Sequence, residues 1–161
     1  MANVKPIPDG YHSITPYLHI HGAARALDFY KQAFGARELV RLAGADGKIG
    51  HAEIMIGDSI VMLADEVPEM GIHSPSSLKG TSVSIVLYVE DVDKVVARAI
   101  KAGATIRRPL EDKFYGDRSA TLADPFGHEW TVSTHLEDVE PEEFKRRMVA
   151  EASKMAESKK S

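Results

Sequence analysis

The chain has 161 residues, with 20 lysines and arginines against 24 aspartates and glutamates, giving a net charge of −4. Hydrophobic residues make up 43% and charged residues 27%, the balance of a folded globular domain and not of a disordered chain. The lack of cysteine excludes a disulfide scaffold, a thiolate metal site and a cysteine nucleophile. The mild acidity excludes a basic nucleic-acid footprint. No apolar run approaches the roughly 18 residues of a membrane span, and the N-terminus lacks a signal-peptide core. These features lead us to expect a soluble cytoplasmic protein with no nucleic-acid or membrane partner.

In chain order, residues 1–10 read as an extended lead-in holding Pro6, Pro8 and Gly10. Residues 13–21 (SITPYLHIH) have the alternation of a strand. The helix that follows carries Ala26, Leu27, Tyr30, Ala33 and Phe34 on one face and stops at Gly35. ELVRL, HAEIMI and IVMLA complete a first unit over 11–64, with Gly57-Asp58 as a hairpin turn. Residues 65–80, rich in Pro, Gly and Ser, read as an inter-module linker. A second unit over 81–137 repeats the pattern. It runs from TSVSIVLYV into a helix bearing Val92, Val95, Val96, Ala99 and Ile100, with Gly103 as its stop, then TIRRP, SATLAD and WTVSTH.

Matching markers lie at near-constant offsets: Gly35 to Gly103 is 68, Ile20 to Val89 is 69 and Gly57 to Gly127 is 70. The sequence is therefore a tandem β-α-β-β-β repeat of α+β class. Residues 138–161 form a C-terminal helix behind Pro141, with Phe144, Met148, Ala152 and Met155 in one stripe and a fraying end at 158–161.

The strand faces carry the functional signal. Ile14, Pro16, Leu18 and Ile20 oppose Thr15, Tyr17, His19 and His21, and Ala52, Ile54 and Ile56 oppose His51, Glu53 and Met55. Val83, Ile85, Leu87 and Val89 oppose Ser82, Ser84, Val86 and Tyr88, while Trp130 and Val132 oppose Thr131, Ser133 and His135. The apolar faces should take the helices. The other faces are rich in imidazole, phenol and hydroxyl groups and almost free of lysine, which suits a ligand cavity better than a solvated surface.

TPYLHIHGAARALDFYKQAFGA, HAEIMIGDSIVMLADE and GDRSATLADPFGHEWTVSTH together resemble the vicinal-oxygen-chelate superfamily of glyoxalase I, bleomycin-resistance proteins and extradiol dioxygenases. The likeness is strongest to its PhnB-like branch and covers about residues 11–135. It implies two modules flanking a cupped antiparallel sheet, and a homodimer. Metal-dependent members take ligands from the first and fourth strands of each module. Those places fall here on Thr15, Ser84, Val61 and Thr131, where the family has His, Gln or Glu. Hydroxyls and a valine give no charge to offset dehydration of a divalent cation, so no metal or other cofactor is expected.

The leading expectation is a protein that binds a small organic molecule over Tyr17, His19, Ser84, Tyr88, Thr131 and Ser133, with Tyr115 and Arg118 contributing from the loop before SATLAD. The alternative is a lyase or isomerase acting beside a carbonyl, with His51 and Glu53 as an acid–base pair or as ligands of a displaced metal site completed by His19 or His135. If Glu53 lines a dry cavity, its pKa should rise. The plainer reading of His51 and Glu53 is a rim ion pair with the imidazole bonded to a neighbouring strand. For Arg118 it is a brace to Asp117 or Asp124. His12, His73 and His128 fall in loops and should face solvent.

Overall fold

Two copies of one strand–helix–three-strand pattern build the protein. The computed structural model describes residues 4–158; the start of the lead-in, the end at 159–161 and the side chain of Met155 lie outside the described residues. The first copy holds β1 (Tyr17–Ile20), α1 (Ala23–Phe34), β2 (Arg37–Ala43), β3 (Ile49–Ile56) and β4 (Ser59–Asp65). The second holds β5 (Ser84–Tyr88), α3 (Val92–Ala102), β6 (Thr105–Asp112), β7 (Asp117–Ala123) and β8 (Glu129–His135). A single-turn helix α2 (Pro75–Leu78) lies between them and α4 (Pro141–Ser158) follows. No helix among the described residues is long and apolar enough to cross a membrane.

The sheets run β1-β4-β3-β2 and β5-β8-β7-β6. The α+β class holds, with one difference from an all-antiparallel cup. β1 lies parallel to β4 and β5 parallel to β8, because the module helix carries the chain to the far edge of the sheet and two antiparallel steps then bring the fourth strand back beside the first in the same direction.

Both helices bury the face that their apolar spacing marks. Ala26, Leu27, Tyr30 and Ala33 are fully enclosed on α1, as is Ala99 on α3, whereas Ile100 remains 43% exposed. The helix starts are held from the fourth strand of each module. Asp65 Oδ1 on β4 accepts from Gly22 N and Ala23 N at 2.9 Å each, and Thr134 Oγ1 on β8 accepts from Val92 N at 2.9 Å. Gly35, at φ 69°, closes α1 in the left-handed conformation that glycine adopts without strain. α1 and α3 pack side by side, Arg98 Nε donates to Ala33 O at 3.1 Å, and the apolar residues of both modules merge into one core.

β1 and β5 are shorter than their apolar patterns suggest. Pro16 has no N–H to donate, so the ladder begins after it, and Ile14 is 86% exposed. Thr81 Oγ1 accepts from Val83 N in a local turn, which leaves Val83 66% exposed ahead of β5. The segment after β4 is more ordered than a linker. The Glu66 carboxylate accepts from Ser74 N at 2.7 Å and from Ser77 Oγ, and Ser74 caps α2 ahead of Pro75. These bonds hold the Glu66 carboxyl at about 2, the Ser74 backbone N–H being the largest cause.

Asp124 is the main polar link between the modules. Its buried carboxylate accepts from Tyr30 Oη of α1 at 2.7 Å, Trp130 Nε1 at 3.1 Å, and the backbone N–H groups of Phe126 and His128 at 2.9 Å. Replacing it strands four donors, two of them in the core. Asp124→Ala is expected to lose about 3–5 kcal/mol in urea unfolding and Tyr30→Phe about 1–2 kcal/mol. A loss below about 1 kcal/mol for Asp124→Ala would remove it from this role.

Candidate functional site

A cavity of about 860 Å³ opens between the edge strands β1 and β5. Its walls are Ile14, Pro16 and Leu18 on one side and Gly80, Val83 and Ile85 on the other, with Pro75 and Leu78 of α2 across one end. Tyr17, His19, Ser84, His128 and Glu129 supply polar groups. Its size falls in the range of about 300–1,000 Å³ seen for small-molecule pockets.

His128 differs from its expected exposure. Asp124 N donates to His128 O at 2.9 Å while Asp124 Oδ1 accepts from His128 N, so the chain folds back after Ala123 and carries the imidazole into the cavity wall. The ring is buried, and burial pushes its pKa below the ordinary imidazole value against the pull of Asp124. His128 Nε2 and His19 Nδ1 are both buried without a hydrogen-bond partner. His73 lines the same cavity but is exposed, as its loop position suggests, and His12 is exposed as well.

On the open face of the first sheet, four side chains form a chain of hydrogen bonds. Tyr11 Oη donates to Glu53 Oε2 at 2.6 Å, His51 Nε2 meets Glu53 Oε1 at 3.1 Å, and His51 Nδ1 meets Tyr17 Oη at 3.0 Å. The Glu53 pKa moves down, chiefly through Tyr11 and then His51, and not up as a dry site would require. This pair is the bonded arrangement of the plainer reading, and both ring nitrogens of the imidazole are engaged. Nothing in the strand periodicity marks Tyr11, which arrives from the lead-in. The rings of His51, Tyr17 and His19 stand in a row, with centroids 5.6 and 5.1 Å apart.

The second module does not contribute the expected floor. Ser133 is 2% exposed, Thr131 is bonded to Thr121 at 3.1 Å, and neither lines the cavity. Tyr88 donates to Asp117 Oδ2 at 2.8 Å and lines two smaller clefts instead. Asp117 Oδ1 also meets His135 Nδ1 at 2.8 Å, and Asp117, then Asp138, raise the His135 pKa. His21 is exposed and meets Glu66 at 2.8 Å. Tyr115 packs edge-on to Phe114 away from the cavity. Arg118 is not available to an anion: Nε and Nη2 grip Asp93 at 2.8 and 2.9 Å and Nη1 holds Asp112 at 2.9 Å. Its partners are therefore neither Asp117 nor Asp124.

The family metal places also change. Tyr17 pairs with Met62 on β4, and the residues in register 69 positions later are Val86 and Thr131. The counterpart of Thr131 is therefore Met62, while Val61 points into the core beside Ile54. Counting from the hairpin glycines slipped by one because the β7–β8 turn spans 124–128 where the β3–β4 turn spans 57–58. A set of Thr15, Met62, Ser84 and Thr131 does not fit a divalent cation. Among the described residues no three His, Cys, Asp or Glu side chains gather as a metal site.

A family model described as the Glyoxalase/Bleomycin resistance protein/Dioxygenase superfamily matches residues 19–132. An uncharacterized protein of Mycobacterium bovis is 44% identical over 149 residues, 91% of this chain and 94% of that protein. Among solved structures, TioX from Micromonospora sp. ML1 is similar at 33% identity and a TM-score of 0.61, over 78% of this chain and 99% of TioX. TnmS3, an antibiotic binding protein from Streptomyces sp. CB03234, is similar at 21% identity and a TM-score of 0.58, over 82% of this chain and 99% of its own. At that identity the likeness is one of fold.

Buried His128 and exposed His135 should have their pKa values displaced in opposite directions. His128 should show an NMR midpoint below the ordinary value of about 6.5 and His135 one above it. The sign for stability differs accordingly. The His128 contribution is present above the unfolded value and lost as pH falls through the lower folded one; the His135 contribution is present below the unfolded value and lost as pH rises through the higher folded one. A His128 midpoint above that of free imidazole would contradict its burial.

Proposed function

We propose that this chain, which belongs to the glyoxalase/bleomycin resistance protein/dioxygenase superfamily, binds a small organic molecule in the cavity between β1 and β5 without transforming it. The observation that carries this reading is the cavity itself: about 860 Å³, walled largely by apolar side chains and interrupted by a few polar ones. Such a space takes up an apolar body by burial and fixes its orientation through a small number of hydrogen bonds. That TnmS3 is an antibiotic binding protein supports sequestration as the role. In this proposal the chain belongs to the PhnB-like branch, a likeness carried by TPYLHIHGAARALDFYKQAFGA, HAEIMIGDSIVMLADE and GDRSATLADPFGHEWTVSTH taken together.

Binding is preferred to acid–base catalysis on the state of His51 and Glu53. The carboxyl is held in its charged form by Tyr11 and His51, and the imidazole has both nitrogens engaged, so moving a proton to or from a substrate here would first break a bond of this chain. In the same proposal residues 11–137 act as one ligand-binding domain in the cytoplasm, and the protein is a homodimer. The exposed apolar side chains Leu42, Val86, Tyr88 and Ile106 on the sheets support the latter.

Thermal-shift screening with planar aromatic compounds tests the reading. A ligand at 100 times its Kd should stabilise the native protein by about 2.7 kcal/mol. Ser84→Trp, which fills the cavity from an exposed strand position, should abolish that shift without lowering the unliganded Tm. Compounds that stabilise the native protein and Ser84→Trp equally would place binding elsewhere.

A further inference from the structure

The geometry points to a planar aromatic ligand that donates hydrogen bonds or carries positive charge, with anions turned away; this rests on the cavity of the preceding section being the binding site.

The first argument is the charge inventory. Among the described residues no lysine or arginine lines the cavity, and Glu129 is its one carboxylate. Glu129 has no part in the ion pairs of the described residues. The Asp124 carboxylate lies directly behind His128, bonded to its backbone N–H at 2.9 Å. An anion entering here would lose its hydration and meet negative charge with no cation to replace the water. Arg118, the one cation expected to serve an anion, is committed to Asp93 and Asp112.

The second argument is the direction of the hydrogen-bond chain. An ionised Glu53 only accepts, so with a neutral ring His51 donates from Nε2 and is left with an acceptor at Nδ1. Tyr17 Oη must then donate to Nδ1, which spends its only proton. What Tyr17 offers the cavity is lone pairs. Tyr17 thus matches a hydroxyl, amine or amide N–H on the ligand, and an acceptor there would go unpaired.

The third argument is shape. Tyr17 and His19 both line the cavity, their ring centroids 5.1 Å apart and tilted 31°, so the wall carries two adjoining aromatic side chains. Flat aromatic molecules stack on such a surface, and the face of a tyrosine attracts cations.

Three dyes read the proposal by fluorescence titration at pH 8, above the ordinary imidazole value of about 6.5. N-phenyl-1-naphthylamine is neutral, 8-anilinonaphthalene-1-sulfonate is the same skeleton with an anionic group, and proflavine is a planar cation with two amino donors. The sulfonate should bind about tenfold or more weaker than its neutral counterpart. Proflavine should bind at least as well as the neutral dye, and Glu129→Gln should weaken proflavine about fivefold while leaving the neutral dye unchanged. If the sulfonate binds as tightly as the neutral dye and Ser84→Trp removes both, the cavity stands and the ligand class is wrong. If no dye binds, or Ser84→Trp leaves binding intact, the cavity reading fails and this inference with it.

Discussion

The Asp124 carboxylate is the constraint on which the rest of the structure depends. A buried carboxylate is tolerated only when its charge is fully answered, and here four donors converge on it from one helix, one strand and one turn. Because Tyr30 comes from the first module and the turn from the second, satisfying that charge also fixes the relation between the modules. The same turn carries His128 into the cavity wall and sets Gly127 under Pro75 of α2. Meeting an electrostatic demand in the core thus builds one end of the cavity.

The duplication is visible in chemistry as well as topology. Each module helix is held at its start by a side chain of its own fourth strand, Asp65 in one case and Thr134 in the other. Each open sheet face carries a carboxylate between a phenol and an imidazole: Glu53 with Tyr11 and His51, and Asp117 with Tyr88 and His135. The copies have diverged in use. The first passes its hydrogen bonds to Tyr17 at the cavity, whereas the second closes on itself through Asp138.

The repeat, the helix faces and their glycine stops were legible in the sequence because they follow from local periodicity and from φ preferences. So were the inward positions of β3 and β8. The strand starts were not, since Ile14 and Val83 continue an apolar alternation that Pro16 and a local Thr81 turn cut short. The metal places slipped by one residue because a five-residue turn replaces a two-residue one, and a count from glycines cannot see that. Of the residues expected to meet a ligand, Tyr17, His19 and Ser84 line the candidate cavity, while Tyr88, Thr131, Ser133, Tyr115 and Arg118 do not. Arg118 finds its partners 25 and 6 residues away, a separation set by packing and invisible to spacing. Tyr11 reaches Glu53 through a long-range fold-back of the lead-in, and His128 is buried by where its local turn docks.

The shared core has a consequence for how the molecule comes apart. Residues of both modules belong to one apolar cluster, with α1 against α3 and Arg98 bonded to Ala33. Neither half has a closed interior of its own, so the opening of one removes the surface against which the other is packed. The chain is therefore expected to unfold as one cooperative unit, with native-state amide exchange in α1 and α3 reporting the same global event.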